Sequence, residues 1–445
     1  MTDPVAALQA LVRIPTVSSR DAAAVDHDAF ERLAAELRRW FPLLHERLEL
    51  TPIADHAFLA RWRGASDARP VILMAHLDVV PPAGAWTRDP FGGELADGAV
   101  HGRGALDDKG CVVAICAAVE SLLARGVTPA YDVWLSFGCD EEVSGGAAQA
   151  AVEELRRRGV RPWFVLDEGG AVATEAFPGV FVPVAVVGVA EKGTTSLELS
   201  VTGDGGHAST PRRRGPTVRL ARAIRRLDRA PMPVRLPEPT VELFRRMAPH
   251  APAPLRPVLR HADRLAPALA RVLTRLGPEP AALVRTTVAI TTLSGSPALN
   301  VIASTATAGV NVRVMVGETA ADVVARLRDA IADDRVRIRL VEEGEPSPVS
   351  PRDDAFAHLE DVIGAVFPDA VVAPYVVLAA TDARFFHAIC ERVYRFAPFR
   401  MTPAQRRSIH AADEHLRVDD LIDGVGFYER LIEGLGRPRA RRGAG

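Results

Sequence analysis

Apolar strand-like runs alternate with helix-length segments through roughly the first 190 residues, and each run ends on side chains that seldom leave water alone. VILMAHLDVV (71–80) delivers His76 and Asp78. YDVWLSFG (131–138) leads into Asp140, Glu141 and Glu142, and RPWFVLDEGG (161–170) delivers Asp167 and Glu168. Between them, KGCVVAICAAVESLLARG (109–126) and GAAQAAVEELRRRG (146–159) have helical length and close on glycine. Strand, helix, strand, helix, strand predicts a mixed, mostly parallel sheet with helices on its faces, an α/β fold. Open sheets of this kind bind ligands outside the carboxyl ends of their strands, so these residues are expected in one crevice. Three adjacent carboxylates repel one another, and removing them from water is costly without a positive charge among them. The loop SFGCDEEVSGG (136–146) is therefore either solvated or wrapped around a cation.

The pattern then changes. TTSLELSVTG (194–203) alternates with period two, PTVRLARAIRRLDRA (216–230) is helical with proline in its first turn, and VRTTVAITTLSG and STATAGVNVRVMV are two further strands. TAADVVARLRDAIAD (319–333) and RVRIRLVEEG (335–344) add a helix and a strand. The order is β-α-β-β-α-β, the split βαβ arrangement of ferredoxin-like domains. Residues 231–284, rich in proline, arginine and alanine, interrupt it as a helical excursion. Its expected role is a packed cap or dimer contact; lining a hydrophobic substrate channel is the alternative. The α/β character returns from about residue 348. The expected division is 1–189 and 348–445 as two parts of one metal-binding domain, with 190–347 inserted between them. The short basic tail RPRARRGAG (437–445) reads as unstructured.

Composition narrows the function. Hydrophobic content of 48% and charged content of 25% are ordinary for a globular chain of 445 residues, and a net charge of −2 gives no global field favouring nucleic acid or an anionic membrane. No apolar run reaches the roughly 18 residues of a membrane span, and the N-terminus lacks the layout of a signal peptide. Cys111, Cys116, Cys139 and Cys390 form no CxxC pair and read as reduced, buried thiols of a cytoplasmic protein.

HxD at 76–78, GRGALDDKG at 102–110, the acidic pair Glu141–Glu142, the DE pair at 167–168 and a late histidine in SIHAADEHL follow one another along almost the whole chain. In this order they resemble the M20 family of dinuclear zinc peptidases and amidohydrolases. The long excursion and VYRFAPFRMTPAQRRSIHAADEHL (393–416) are most similar to the branch of carboxypeptidase S and the N-acyl-amino-acid amidohydrolases. The resemblance implies that the insert is the family's lid, or dimerisation, domain, giving a possible homodimer. It implies two Zn²⁺ per chain, with Co²⁺ or Mn²⁺ as substitutes, held by His76, Asp107, Glu142, Glu168 and His410. Asp107 would bridge the ions, with Asp167 the second choice to Glu168 and His415 the second choice to His410. Ala411 stands where many relatives carry glycine. Mixed histidine and carboxylate ligands suit these metals better than magnesium or calcium.

By the same resemblance, Asp78 orients His76, Glu141 is the general base, and His207, in GDGGHASTP (203–211), stabilises the oxyanion, often in the partner subunit. Asn300, in SGSPALNVIAS (294–304), lies near the substrate, and Arg384, in AATDARFF (379–386), clamps its α-carboxylate. Taken alone, these three residues could be a loop histidine, a turn amide and a structural ion pair. Arg313 on an insert strand is a further candidate, Asp140 is expected to orient or solvate its loop, and Lys109 is expected to pack rather than react. The implied activity is hydrolysis of an amide next to a free α-carboxylate, in an N-acyl amino acid or short peptide. An aminopeptidase or dipeptidase, and a metal-binding protein without catalysis, are the alternatives.

Overall fold

The computed structural model describes residues 2–177 and 179–437; the expected unstructured tail falls almost wholly outside them. Three strands form the centre of a ten-stranded sheet: Ser66–His76 lies between Tyr131–Gly138 and Phe164–Asp167, parallel to both. All three are buried over their apolar stretches, as expected for parallel strands covered on both faces. Their carboxyl ends therefore emerge on one edge. The sheet is mixed rather than uniformly parallel. Phe58–Trp62 pairs antiparallel with Tyr131–Gly138, and Val184–Glu191 pairs antiparallel with Ala171–Ala173 and with Val393–Arg395.

The helix Lys109–Ala124 is buried along nearly its whole length, Cys111 and Cys116 included. It packs against Val418–Glu433, Pro4–Val12 and Pro42–Arg47. An all-round apolar helix at the centre of the core explains why its sequence lacks a polar face.

Val184–Glu191 runs directly into Gly193–Thr202, the first strand of a separate four-stranded antiparallel sheet. Its order is Thr287–Ser294, Thr305–Val314, Gly193–Thr202, Arg337–Glu342. Burial alternates residue by residue along Gly193–Thr202 and Thr305–Val314. The inward positions (Leu197, Leu199, Val310, Val312) form their own core with Leu220 and Leu227 of the helix Pro216–Asp228 and Val323 and Leu327 of Ala320–Ile331.

The helical excursion does not stay with that second sheet. Glu238–Met247 packs on the strand Val371–Val377 of the large sheet. Leu243, Phe244 and Met247 share a core with Val184, Val186 and Ala373. The proline-rich sequence gives three further helices, Arg256–Arg260, Ala266–Leu276 and Pro278–Ala282, each with proline in its first turn.

The two sheets are joined through buried Glu191 and Lys192. The Lys192 ammonium donates to the Arg285 carbonyl at 2.7 Å. Burial, assisted by Arg313 and Arg285, lowers its pKa to about 7, against about 10.4 in an unfolded chain. Between those values the unfolded chain holds a proton that the folded chain does not. Stability should accordingly rise with pH from about 7 towards 10 through this group. Denaturant titrations across that range should show the slope in the native protein and a flatter profile in Lys192→Met.

Candidate metal centre

His76 is the last residue of its strand and Asp78 follows two positions later, both buried. The ring Nδ1 of His76 lies 3.0 Å from the Asp78 carbonyl and 3.4 Å from its carboxylate. Its Nε2 lies 3.0 Å from Asp107 Oδ1. The Asp78 carboxylate also accepts the backbone N–H groups of Glu141 and Glu142, each at 3.2 Å. One residue thus orients the histidine, most closely through its carbonyl, and holds the acidic loop through its carboxylate.

From Asp107 the cluster continues. Its second oxygen lies 3.0 Å from His410 Nε2, which is also 3.0 Å from Glu142 Oε2. One ligand atom each from His76, Asp107 and Glu142 lie within 4.8 Å of one another. Glu142 Oε1 and Asp108 Oδ1 are buried without a hydrogen-bond partner. Orphaned carboxylate oxygens among imidazoles are a donor set suited to a divalent transition metal.

The electrostatics also favour a cation here. Burial opposes the charge on Asp107, yet bonds from His410 and His76 hold its carboxyl below the usual range. Hydrogen bonds to Asp107 and Glu142 push His410 up to about 10. Burial drives Glu141 and Glu168 well above ordinary carboxyl values, with Asp107 adding repulsion in each case. Asp382 is pushed up to about 8 by burial and by Asp167. These acids share too little positive charge of their own.

Other expected residues sort by position. Glu168 lines the same cavity as Asp107. The Asp167 carboxylate accepts the Ala383 N–H at 3.0 Å and lines the smaller pocket with His76 and Glu141. His415 meets the Asp413 carbonyl at 2.9 Å and stacks on His101, so His410 alone of the two histidines joins the cluster. Asp140 accepts the Gly146 and Ala147 N–H groups and orients the start of the helix Ala147–Arg157. Lys109 donates to the Leu11 and Ile14 carbonyls at 2.9 and 2.6 Å and packs as expected.

Arg384 stands in the short helix Ala383–Phe386, its guanidinium 4.6 Å from the centre of the Phe385 ring. Arg313, from the second sheet, is lowered first by burial and next by Arg384, with Glu141 among the acids opposing the shift. Arg313 is thus within electrostatic reach of both Arg384 and Glu141. His207 and Asn300 do not join them. They lie together on the exposed ladder Gly206–His207 with Val301–Ile302, where the Ala208 N–H reaches the Asn300 carbonyl. Neither lines the cavities beside the cluster.

A cavity of about 370 Å³ runs from Asp107 and Glu168 into the helical excursion. Its walls are mostly apolar, with Phe177, Phe244, Leu273, Leu276, Tyr375 and Leu378 among them.

The sequence carries a match to the model of peptidase family M20/M25/M40 over residues 72–434. The chain belongs to this family. It is a metal-dependent hydrolase related to carboxypeptidase S-like and PM20D1-like enzymes. It is 36% identical over 405 residues to the probable carboxypeptidase S-like 2 of Dictyostelium discoideum, covering 89% of this chain and 78% of that protein. It is 33% identical over 436 residues to the human N-fatty-acyl-amino acid synthase/hydrolase PM20D1, covering 96% of this chain and 86% of that one. The M20 metallo-carboxypeptidase Sso-CP2 from Sulfolobus solfataricus shares the fold at a TM-score of 0.71 and 17% identity, over 97% and 99% of the two chains. No helix among the described residues is long and apolar enough to cross a membrane.

Sequence reasoning missed the residues that shape this M20 centre from behind. Glu414 forms a fully buried pair with Arg103 at 2.5 Å and accepts the N–H groups of Leu106 and Asp107 at 2.8 and 3.1 Å. Arg103 also donates to the Ala411 carbonyl and faces the Trp86 ring. The pair ties the Asp107 turn to the segment carrying His410. Likewise, Glu191 accepts from Arg395 and from the hydroxyl of Thr381. Both glutamates stand in quoted or adjoining motifs, but their partners lie hundreds of residues away. Glu414→Ala should destabilise the protein by about 3–5 kcal/mol, because it leaves the Arg103 charge buried and unpaired. Metal content measured on the purified variant should fall as well.

Proposed function

We propose that this chain is a dinuclear zinc hydrolase that cleaves the amide of an N-acyl amino acid, or of a short peptide with a free α-carboxylate. The observation that carries the reading is the half-buried Glu141 carboxylate. It shares a pocket with His76 beside the His76–Asp107–Glu142 cluster, and its backbone is held by Asp78.

In this reading His76, Asp107 and Glu168 would hold one ion, and Glu142, Asp107 and His410 would hold the other. Bound there, the metals supply Lewis-acid polarisation of the amide carbonyl and acidify water. Glu141 takes the proton of the attacking water and returns it to the leaving amine. Asp78 fixes the His76 ring so that Nε2 faces Asp107. Arg384 pairs with the α-carboxylate, with Arg313 as a second positive group. The apolar cavity beyond Glu168 receives the acyl group, which fits that wall better than the ammonium group of an aminopeptidase or dipeptidase substrate. The similarity to fatty-acyl-amino acid enzymes supports the same choice.

The second sheet, with its β-α-β-β-α-β order and separate core, is assigned as a ferredoxin-like lid or dimerisation domain over residues 190–347. Residues 1–189 and 348–445 form the catalytic domain. His207 and Asn300, exposed on the lid, would complete the site of a partner subunit in a homodimer, where His207 donates to the oxyanion. Four free, buried cysteines support a cytoplasmic setting.

Glu141→Gln should retain its metal by elemental analysis while turnover of an N-acyl amino acid falls about 10²–10⁴-fold. Loss of metal in that variant would instead place Glu141 among the ligands. Arg384→Met should lower kcat/KM about ten- to a hundredfold for a free-carboxylate substrate, the range of a charged hydrogen bond. Its α-amide analogue should be turned over equally by both proteins.

A further inference from the structure

The helix Ala266–Leu276 turns Leu269, Ala270 and Leu273 inward, yet its outer side is not polar. Leu265, Ala268, Val272 and Leu276 follow one another at helical spacing and are all exposed, Val272 at 49% and Leu276 at 61%. Arg264, Arg271 and Arg275 form the neighbouring stripe, also exposed.

The patch extends beyond this helix. Phe181 is 87% exposed, and Gly179, two residues before it, lies against Pro252 and Leu255. Leu255 is exposed as well, and exposed Arg256 and Arg260 follow it. Asp263 is already paired with Arg245 at 3.1 Å. Leu276 belongs both to the outer stripe and to the wall of the cavity that runs to Asp107, so the cavity opens within this patch.

A contiguous apolar stripe edged by arginine is the composition of a helix that lies in a lipid interface. We propose that the face formed by residues 255–276 with Phe181 docks on a lipid surface bearing anionic headgroups, so that an amphiphilic acyl substrate enters the cavity from that surface. The apolar side chains enter the acyl boundary, and the arginines lie along it with their guanidinium groups at the phosphates. The net charge of −2 does not oppose this, because the attraction is local and screened within about 10 Å. A second copy of the chain fits less well: a two-fold contact sets the patch against itself, arginine facing arginine. The role of the cavity rests on the proposed acyl-amino-acid reading; the docking itself does not.

The test is co-sedimentation of the zinc-loaded protein with vesicles of phosphatidylcholine, with and without phosphatidylglycerol, alongside light scattering for mass. Val272→Asp and the pair Arg271→Glu with Arg275→Glu are compared with the native chain; none of these residues lines the cavity. Native protein should bind the anionic vesicles and leave them at high salt. At about fivefold per arginine near such a surface, the double reversal should weaken binding more than twentyfold. Hydrolysis of a soluble N-acetyl amino acid should be the same in every variant. Absence of binding to anionic vesicles, or binding that neither variant reduces, overturns the proposal. So does a dimer that these substitutions dissociate, since it would assign the patch to a second copy. Failure of the native enzyme on every N-acyl amino acid would sink the substrate reading and leave the vesicle result to stand alone.

Discussion

The carboxylate of Asp78 accepts two backbone N–H groups from the Glu141–Glu142 loop while its residue faces the Nδ1 side of His76. Beyond the last backbone bond between these neighbouring strands, Leu77 N–H to the Gly138 carbonyl at 2.8 Å, that bridge is what ties their two loops together. With it, the ends of Ser66–His76 and Tyr131–Gly138 are locked at one distance, and His76 and Glu142 fall within reach of Asp107. The buried charge is tolerable because it is shared: Asp78 is held below its usual range by His76, against the effect of burial. A rigid support of this kind is what a metal site requires, since the ligands must hold their geometry before an ion arrives.

Two further buried pairs apply the same logic at longer range. Arg103 with Glu414 joins the turn before the central helix to the segment holding His410. Arg395 with Glu191 joins the strand beside Phe164–Asp167 to the crossing into the second sheet, and Thr381 adds its hydroxyl to the same glutamate. Buried pairs add little net stability when compared with apolar replacements, but they are costly to break. Here each sits where two distant segments must keep register beside the cluster. The crossing at Glu191 and Lys192 is therefore both the connection between the sheets and part of the support behind Arg384.

The helical excursion changes the character of the site. Its first helix leaves the second sheet and packs on Val371–Val377, and its later helices close an apolar cavity leading from Asp107. A hydrolase with a polar site alone would recognise little beyond the amide and its carboxylate. In the proposed reading the added apolar volume would give the acyl side of the scissile bond its own environment, where each buried methylene contributes about 0.8 kcal/mol.

Much was legible in the sequence. Buried parallel strands must be apolar throughout and must end where ligands bind, so the runs 71–80, 131–138 and 161–170 announced both the sheet and its functional edge. The period-two alternation of 194–203 and 304–316 announced a sheet with one buried face, and the motif order announced the family. Three matters were decided only by tertiary structure. Glu168 and His410 were preferred in the sequence, and what their neighbours Asp167 and His415 bond, the Ala383 N–H and the Asp413 carbonyl, is something adjacency in the chain does not reveal. Arg103 and Glu414 lie 311 positions apart, and Arg395 and Glu191 lie 204 apart, so no local pattern could pair them. The excursion read as a packed cap or dimer contact, with a substrate channel as the alternative, because periodicity identifies an apolar face without naming the surface that receives it. Local propensity and patterning set which elements form and which side is buried; the convergence of distant chain segments set what each buried side meets.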